Sequence, residues 1–124
     1  MRSVILVSLL GLFLGCGGPK AGDTCSQAGL LCEDTDSALE CRLGRWTSLP
    51  CRGPKGCYDA GDKLTGCDLE GNLEGDYCAS AAEGTGLCSP AGDALLQCRS
   101  GVYVKVSSCT SCTATSAATL SCQP

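Results

Sequence analysis

Apolar positions are unevenly distributed along this chain. A run from Val4 to Leu14, interrupted only by Ser8 and Gly11, follows a cationic start at Arg2. This run is shorter than the about 20 apolar residues that a membrane-spanning helix needs, and it predicts a signal helix within residues 1–15. Beyond it, large apolar side chains occur singly or in short groups, and no segment shows a helical period with caps. Val102-Tyr103-Val104-Lys105-Val106 reads as a strand, and Gly, Pro, Asn, Asp and Ser fall in nearly every gap between cysteines. That punctuation predicts short strands joined by turns.

The cysteines turn this pattern into a repeat. After Cys16, six run as C-x6-C-x8-C-x9-C-x5-C-x9-C (Cys25, Cys32, Cys41, Cys51, Cys57, Cys67), and six more as C-x9-C-x9-C-x10-C-x2-C-x9-C (Cys78, Cys88, Cys98, Cys109, Cys112, Cys122). Neighbours agree across the two sets: Gly22-Asp23-Thr24-Cys25 matches Gly75-Asp76-Tyr77-Cys78, and Leu31-Cys32 matches Leu87-Cys88. Leu39-Glu40-Cys41-Arg42-Leu43-Gly44-Arg45-Trp46 aligns with Leu96-Gln97-Cys98-Arg99-Ser100-Gly101-Val102-Tyr103, so Leu, Cys, Arg, Gly and an aromatic recur in register. A two-residue turn ending in Gly44 or Gly101 predicts a hairpin in each copy, with Cys41 opposite Trp46, Cys98 opposite Tyr103, and the ring covering a disulfide. The expected fold is small, disulfide-rich and mainly β: two tandem modules of short hairpins and loops. They occupy residues 25–67 and 78–122, with an acidic linker at 68–77. Pairing is expected within modules, although six cysteines allow about 15 connectivities.

Composition explains why the sulfur is needed. Twelve Leu, three Val, three Tyr and Trp46 are the large apolar residues among the 108 positions after Cys16. So little apolar area cannot offset about 1–2 kcal/mol of backbone entropy per ordered residue, whereas crosslinks raise the free energy of the unfolded chain by about 2–4 kcal/mol each.

Cys16 stands outside both sets. Phe13-Leu14-Gly15-Cys16 closes the apolar run and resembles the cleavage and acylation box of the bacterial lipoprotein leader family, with Phe13 where that family usually has Leu. The resemblance implies cleavage after residue 15, lipid on Cys16, a tether over residues 16–24 and attachment to the bacterial cell envelope. Gly17 follows the acylated position where an inner-membrane retention signal would have Asp, which favours the outer membrane. An unpaired thiol is a liability in an oxidising compartment, and acylation removes it. From the anchor and the L-x-C-x-x-G-x-aromatic repeats, the chain resembles the cysteine-rich lipoproteins with tandem modules that some bacteria encode in large numbers. That resemblance implies an address and a scaffold, and no particular activity.

Several chemistries are disfavoured. There is no histidine, which excludes Ser-His-Asp and Cys-His catalysis and the commonest general base, so no enzyme and no cofactor are expected. Without Arg2 the chain carries eight basic and thirteen acidic residues, a net charge of −5, which argues against nucleic acid. Arg42, Arg45, Arg52 and Lys55 read as a solvated face. Cys109-Thr110-Ser111-Cys112 lacks the βαβ context of a redox dithiol and reads as two structural cysteines. Asp68, Glu70, Asn72, Glu74 and Asp76 alternate along the linker, but Leu73 sits where a calcium loop needs glycine, so a flexible solvated link is favoured over a metal site.

Trp46 and Tyr103 are candidate ligand contacts, since aromatic rings stack on sugars. The segment from Cys41 to Cys51 is faintly similar to chitin-binding modules of the peritrophin kind over about a dozen residues per copy, while packing on disulfides is the plainer role. The functional expectation is a non-catalytic, lipid-anchored binding or adhesion module. It would contact the membrane through its anchor and an envelope protein or glycan through its loops, and repeated modules can add avidity. The alternatives are a passive structural envelope lipoprotein and a protease inhibitor presenting Arg52-Gly53-Pro54-Lys55.

Overall fold

A computed structural model describes residues 17–116 and 119–124. The signal helix expected over 1–15 and Cys16 lie outside the described residues. The first half holds a three-stranded antiparallel sheet, β1 (Leu30–Cys32), β2 (Ser37–Arg42) and β3 (Arg45–Pro50), followed by a hairpin of β4 (Cys57–Gly61) and β5 (Leu64–Cys67). The second half repeats the plan with β6 (Gly86–Cys88), β7 (Ala94–Arg99) and β8 (Val102–Ser108), then β9 (Ser111–Ser116) and β10 (Thr119–Gln123). The one helical element among the described residues is a 3-10 turn at Ser80–Ala82. The protein is therefore small, mainly β and disulfide-rich.

Turn chemistry sets the register. Leu43-Gly44 has φ +49° and +78°, and Ser100-Gly101 has φ +51° and +79°. Two successive positive φ values define the turn whose twist matches paired strands, and they place Cys41 opposite Trp46 and Cys98 opposite Tyr103. The repeated unit also reaches back before its first cysteine. Cys25 and Cys78 donate backbone N–H groups to Gly44 and Gly101, and Gly22 and Gly75 donate to the carbonyls of Trp46 and Tyr103. Residues 20–24, expected as free tether, are thus built into the first copy.

Six disulfides use one connectivity twice. The first cysteine of each set bonds the third (Cys25–Cys41, Cys78–Cys98), the second bonds the fifth (Cys32–Cys57, Cys88–Cys112), and the fourth bonds the sixth (Cys51–Cys67, Cys109–Cys122). The second-to-fifth bridge ties each sheet to its hairpin. Around these bonds the apolar clusters are small. One is Ala38, Leu49 and Cys51, and the other is Cys78, Ala94, Leu96, Cys98 and Tyr103. Half-cystines contribute to both, so the sulfur serves as packing material as well as crosslink.

The linker differs from its expected character, because polar side chains dock it onto the first copy. Asn72 is fully buried, donates from Nδ2 to the Pro50 carbonyl at 2.9 Å and accepts the Arg52 N–H at 3.0 Å. Arg52 grips Asp76 through Nε at 2.7 Å and Nη2 at 2.9 Å. The linker is therefore an ordered strap. A buried amide that satisfies two backbone groups is costly to release into a floppy link.

Candidate functional site

The two expected ligand aromatics are core residues. Trp46 is 5% exposed and Tyr103 1%, and Tyr103 packs in one cluster with Cys78 and Cys98. So little exposure fits the plainer role expected from the sequence, packing on the disulfides, and overturns the ligand contact for Tyr103, whereas Trp46 still lines a depression with Pro19 and Cys25. The physical reason is register: each aromatic stands opposite a cysteine on the covered face of its hairpin. The Tyr103 hydroxyl is buried without a hydrogen-bond partner among the described residues. Burial, reinforced by the nearby Asp76 charge, raises its pKa above the ordinary tyrosine value. Tyr58, partly exposed, lies across Gly66 and under the Lys55 ammonium, 5.7 Å from the ring centroid.

Arg45, Arg52 and Lys55 of the basic cluster are solvent-exposed, as expected, and each of the three arginines also makes a contact within the fold. Arg42 donates from Nε to Glu40 at 3.2 Å and from Nη2 to the Cys78 carbonyl, while Arg45 reaches the Gly22 carbonyl at 3.2 Å. Arg52 is held by Asp76, and Gly53 is buried with its N–H donated to the Asp68 carbonyl. A protease loop needs a projecting arginine, and Arg52-Gly53-Pro54-Lys55 has instead a tethered one.

Three of the four linker carboxylates are also engaged. Asp68 accepts the Lys55 and Glu70 N–H groups, Glu74 accepts that of Lys105, and Asp76 binds Arg52. Among the described residues no group of three or more Asp, Glu, Cys or His side chains is placed to hold a metal ion. Cys109 and Cys112 bond Cys122 and Cys88, not each other, so their C-x-x-C is no dithiol pair.

A second polar site joins the two copies. Glu40, nearly buried on β2, accepts the Ser80 N–H at 2.9 Å and the Ser80 hydroxyl, and Arg42 supports it from the side. Burial pushes the Glu40 carboxyl up, but the hydrogen bonds from Ser80 and Arg42 outweigh it and hold it below the ordinary glutamate value. Asp76 follows the same logic: burial raises it, and Arg52 with the Leu73 N–H lowers it further. Nothing in the local sequence around Glu40 predicted a partner 40 residues away, because Ser80 reaches it only through the docked strap.

Two depressions occupy equivalent places in the copies. In the first, Cys32, Tyr58, Asp59, Lys63, Leu64 and Thr65 line a depression of about 260 Å³ between the sheet and the β4–β5 hairpin. In the second, Leu69, Leu87, Cys88, Ala114 and Leu120 line one of about 480 Å³ beside β9 and β10. Strand pairing sets the correspondence: Asp59 pairs Thr65 two steps beyond the Cys57–Cys67 pair, and Ala114 pairs Leu120 two steps beyond Cys112–Cys122. At those two paired positions the first copy is thus polar and the second apolar. Sequence reasoning missed both, since the hairpin spacing differs between copies and only the strand register aligns those positions.

Compared with known proteins, the chain matches no protein-family model, no curated sequence and no solved structure.

Proposed function

We propose that this protein is a non-catalytic binding module held at the outer membrane of a bacterial cell by lipid on Cys16, contacting an envelope partner through the end of the fold that bears the two depressions. The supporting observation is the unequal lining of those equivalent depressions. The disulfide frame, the turns and the register are kept between copies, while Asp59 and Thr65 are replaced by Ala114 and Leu120. A rigid frame with varied chemistry at one place is the arrangement of a binding scaffold. The six disulfides are consistent with an oxidising, extracytoplasmic compartment. Unlike linings argue for two distinct contacts over avidity toward one repeated ligand.

The apolar depression beside Leu120 is the stronger candidate, because burying apolar area supplies most binding energy and few polar groups are needed for direction. A pull-down from envelope extract with the acylated protein, compared with Leu120→Asp, tests the reading. A discrete partner retained by the native chain and lost by the variant supports it. An empty pull-down together with an empty glycan array refutes it.

A further inference from the structure

Leu43 is the most exposed large apolar residue described, at 105% of its reference area, and it occupies a backbone conformation with φ +49°. A bulky side chain at positive φ is strained, and strain is retained where something other than folding favours it. The second copy supplies the control. Ser100 holds the same turn position at φ +51°, so the hairpin closes equally with a small polar residue. Leucine at position 43 is therefore not a requirement of the fold.

The surroundings identify what it meets. Pro19 lines a depression with Cys25 and Trp46, and the Cys25 N–H donates to Gly44, the residue next to Leu43. Two residues separate Pro19 from Cys16, a span of at most about 10 Å when extended. Lipid on Cys16 thus brings the bilayer to the end of the molecule where Leu43 projects. The same end carries Tyr77, half exposed, with the Arg42 guanidinium 6.0 Å from its ring centroid, and Arg45 beside the turn. The copy-two turn is adjacent, since a Cβ on Gly101 would lie 2.9 Å from Arg42 Nη1. Tyrosine and arginine around an apolar tip suit the boundary between lipid headgroups and acyl chains. The β4–β5 hairpin lies at the other end of β2, where Cys57 donates to Thr35, and β2 alone separates the ends by about 17–20 Å.

The geometry points to a second membrane contact: the Leu43-Gly44 turn inserts into the surface of the phospholipid bilayer that carries the anchor, and so orients the hairpin ends outward. This inference rests on the lipid anchor proposed above. It also follows a physical need, because one lipid attachment leaves a small domain free to rotate and a second contact removes that freedom.

The test uses the full-length acylated protein in vesicles of phosphatidylethanolamine and phosphatidylglycerol with brominated acyl chains. Leu43→Trp and Leu64→Trp are compared with the native chain, whose buried Trp46 sets the background. Leu64 is the matched control, since it is 64% exposed and sits on the far hairpin. Both positions project into solvent, and Ser100 shows that the turn accepts other residues. The expected result is loss and blue shift of the added L43W emission, with L64W emission unchanged. If the protein floats with the vesicles and L43W is not quenched, or both variants are quenched alike, the second contact is refuted and the anchor stands. If the protein does not float, the anchor fails and the orientation falls with it.

Discussion

The second-to-fifth and fourth-to-sixth bridges of the first copy separate two ways in which a disulfide stabilises. Cys32–Cys57 closes a 25-residue separation between an exposed and a half-buried residue, whereas Cys51–Cys67 closes 16 residues and has Cys51 only 1% exposed. The chain-entropy relation gives about 3.5 kcal/mol for the longer loop and about 3.1 kcal/mol for the shorter. Replacing Cys32 and Cys57 together by alanine removes less packing, since Cys32 is exposed and Cys57 only partly buried against the Ala38 cluster, so the entropic term should dominate. Replacing Cys51 and Cys67 together also empties space beside Ala38 and Leu49, adding about 1–2 kcal/mol. The buried pair should therefore cost more, although it closes the shorter loop. Guanidinium denaturation of the oxidised proteins reads the difference: a loss of about 3.5 kcal/mol lowers the midpoint by about 1 M at an m-value of about 3 kcal/mol/M. Losses under about 1 kcal/mol for both variants would mean that apolar packing carries the fold and that the crosslinks are dispensable.

The junction between copies should be acid-sensitive. The folded-state pKa of Glu40 lies below the unfolded value of about 4.3, so its contribution is complete above that value and disappears as pH falls through the lower folded value; Asp76 has the same sign. Denaturation midpoints should fall below about pH 4, and Glu40→Gln should flatten that limb; an unchanged acid profile in the variant would refute the assignment. Tyr103→Phe removes a buried hydroxyl without a partner and should leave thermal stability at or up to about 1 kcal/mol above the native value. A clear loss of stability in calorimetry would show that the hydroxyl is satisfied. Gly56→Ala should cost about 2 kcal/mol or more, because its Cβ would stand 1.9 Å from the Thr35 carbonyl oxygen at φ +60°. Gly22→Ala, at φ +90° with open space around it, should cost only about 1 kcal/mol in the same denaturation series.

Much of the architecture was legible in residue order because it depends on local chemistry. Turns with glycine at the second central position set strand pairing over a few residues, so the Cys41 to Trp46 and Cys98 to Tyr103 oppositions followed from the two aligned octapeptides. The scarcity of large apolar residues likewise pointed to crosslinks as the main source of stability. Residue order offered Trp46 and Tyr103 both to the disulfides and to a ligand, and only their burial in the tertiary structure favoured the first.

By itself, the sequence determined the β class, the duplication, the place of the hairpins and the need for sulfur, since each follows from residue type and spacing along a short stretch. The tertiary structure decided the disulfide connectivity, the docking of the linker by Asn72 and Asp76, the Glu40–Ser80 junction and the unequal depressions. These depend on distances between residues remote in the chain. Such distances are set only when the whole polymer closes on itself, and no local pattern of hydrophobicity or charge encodes them.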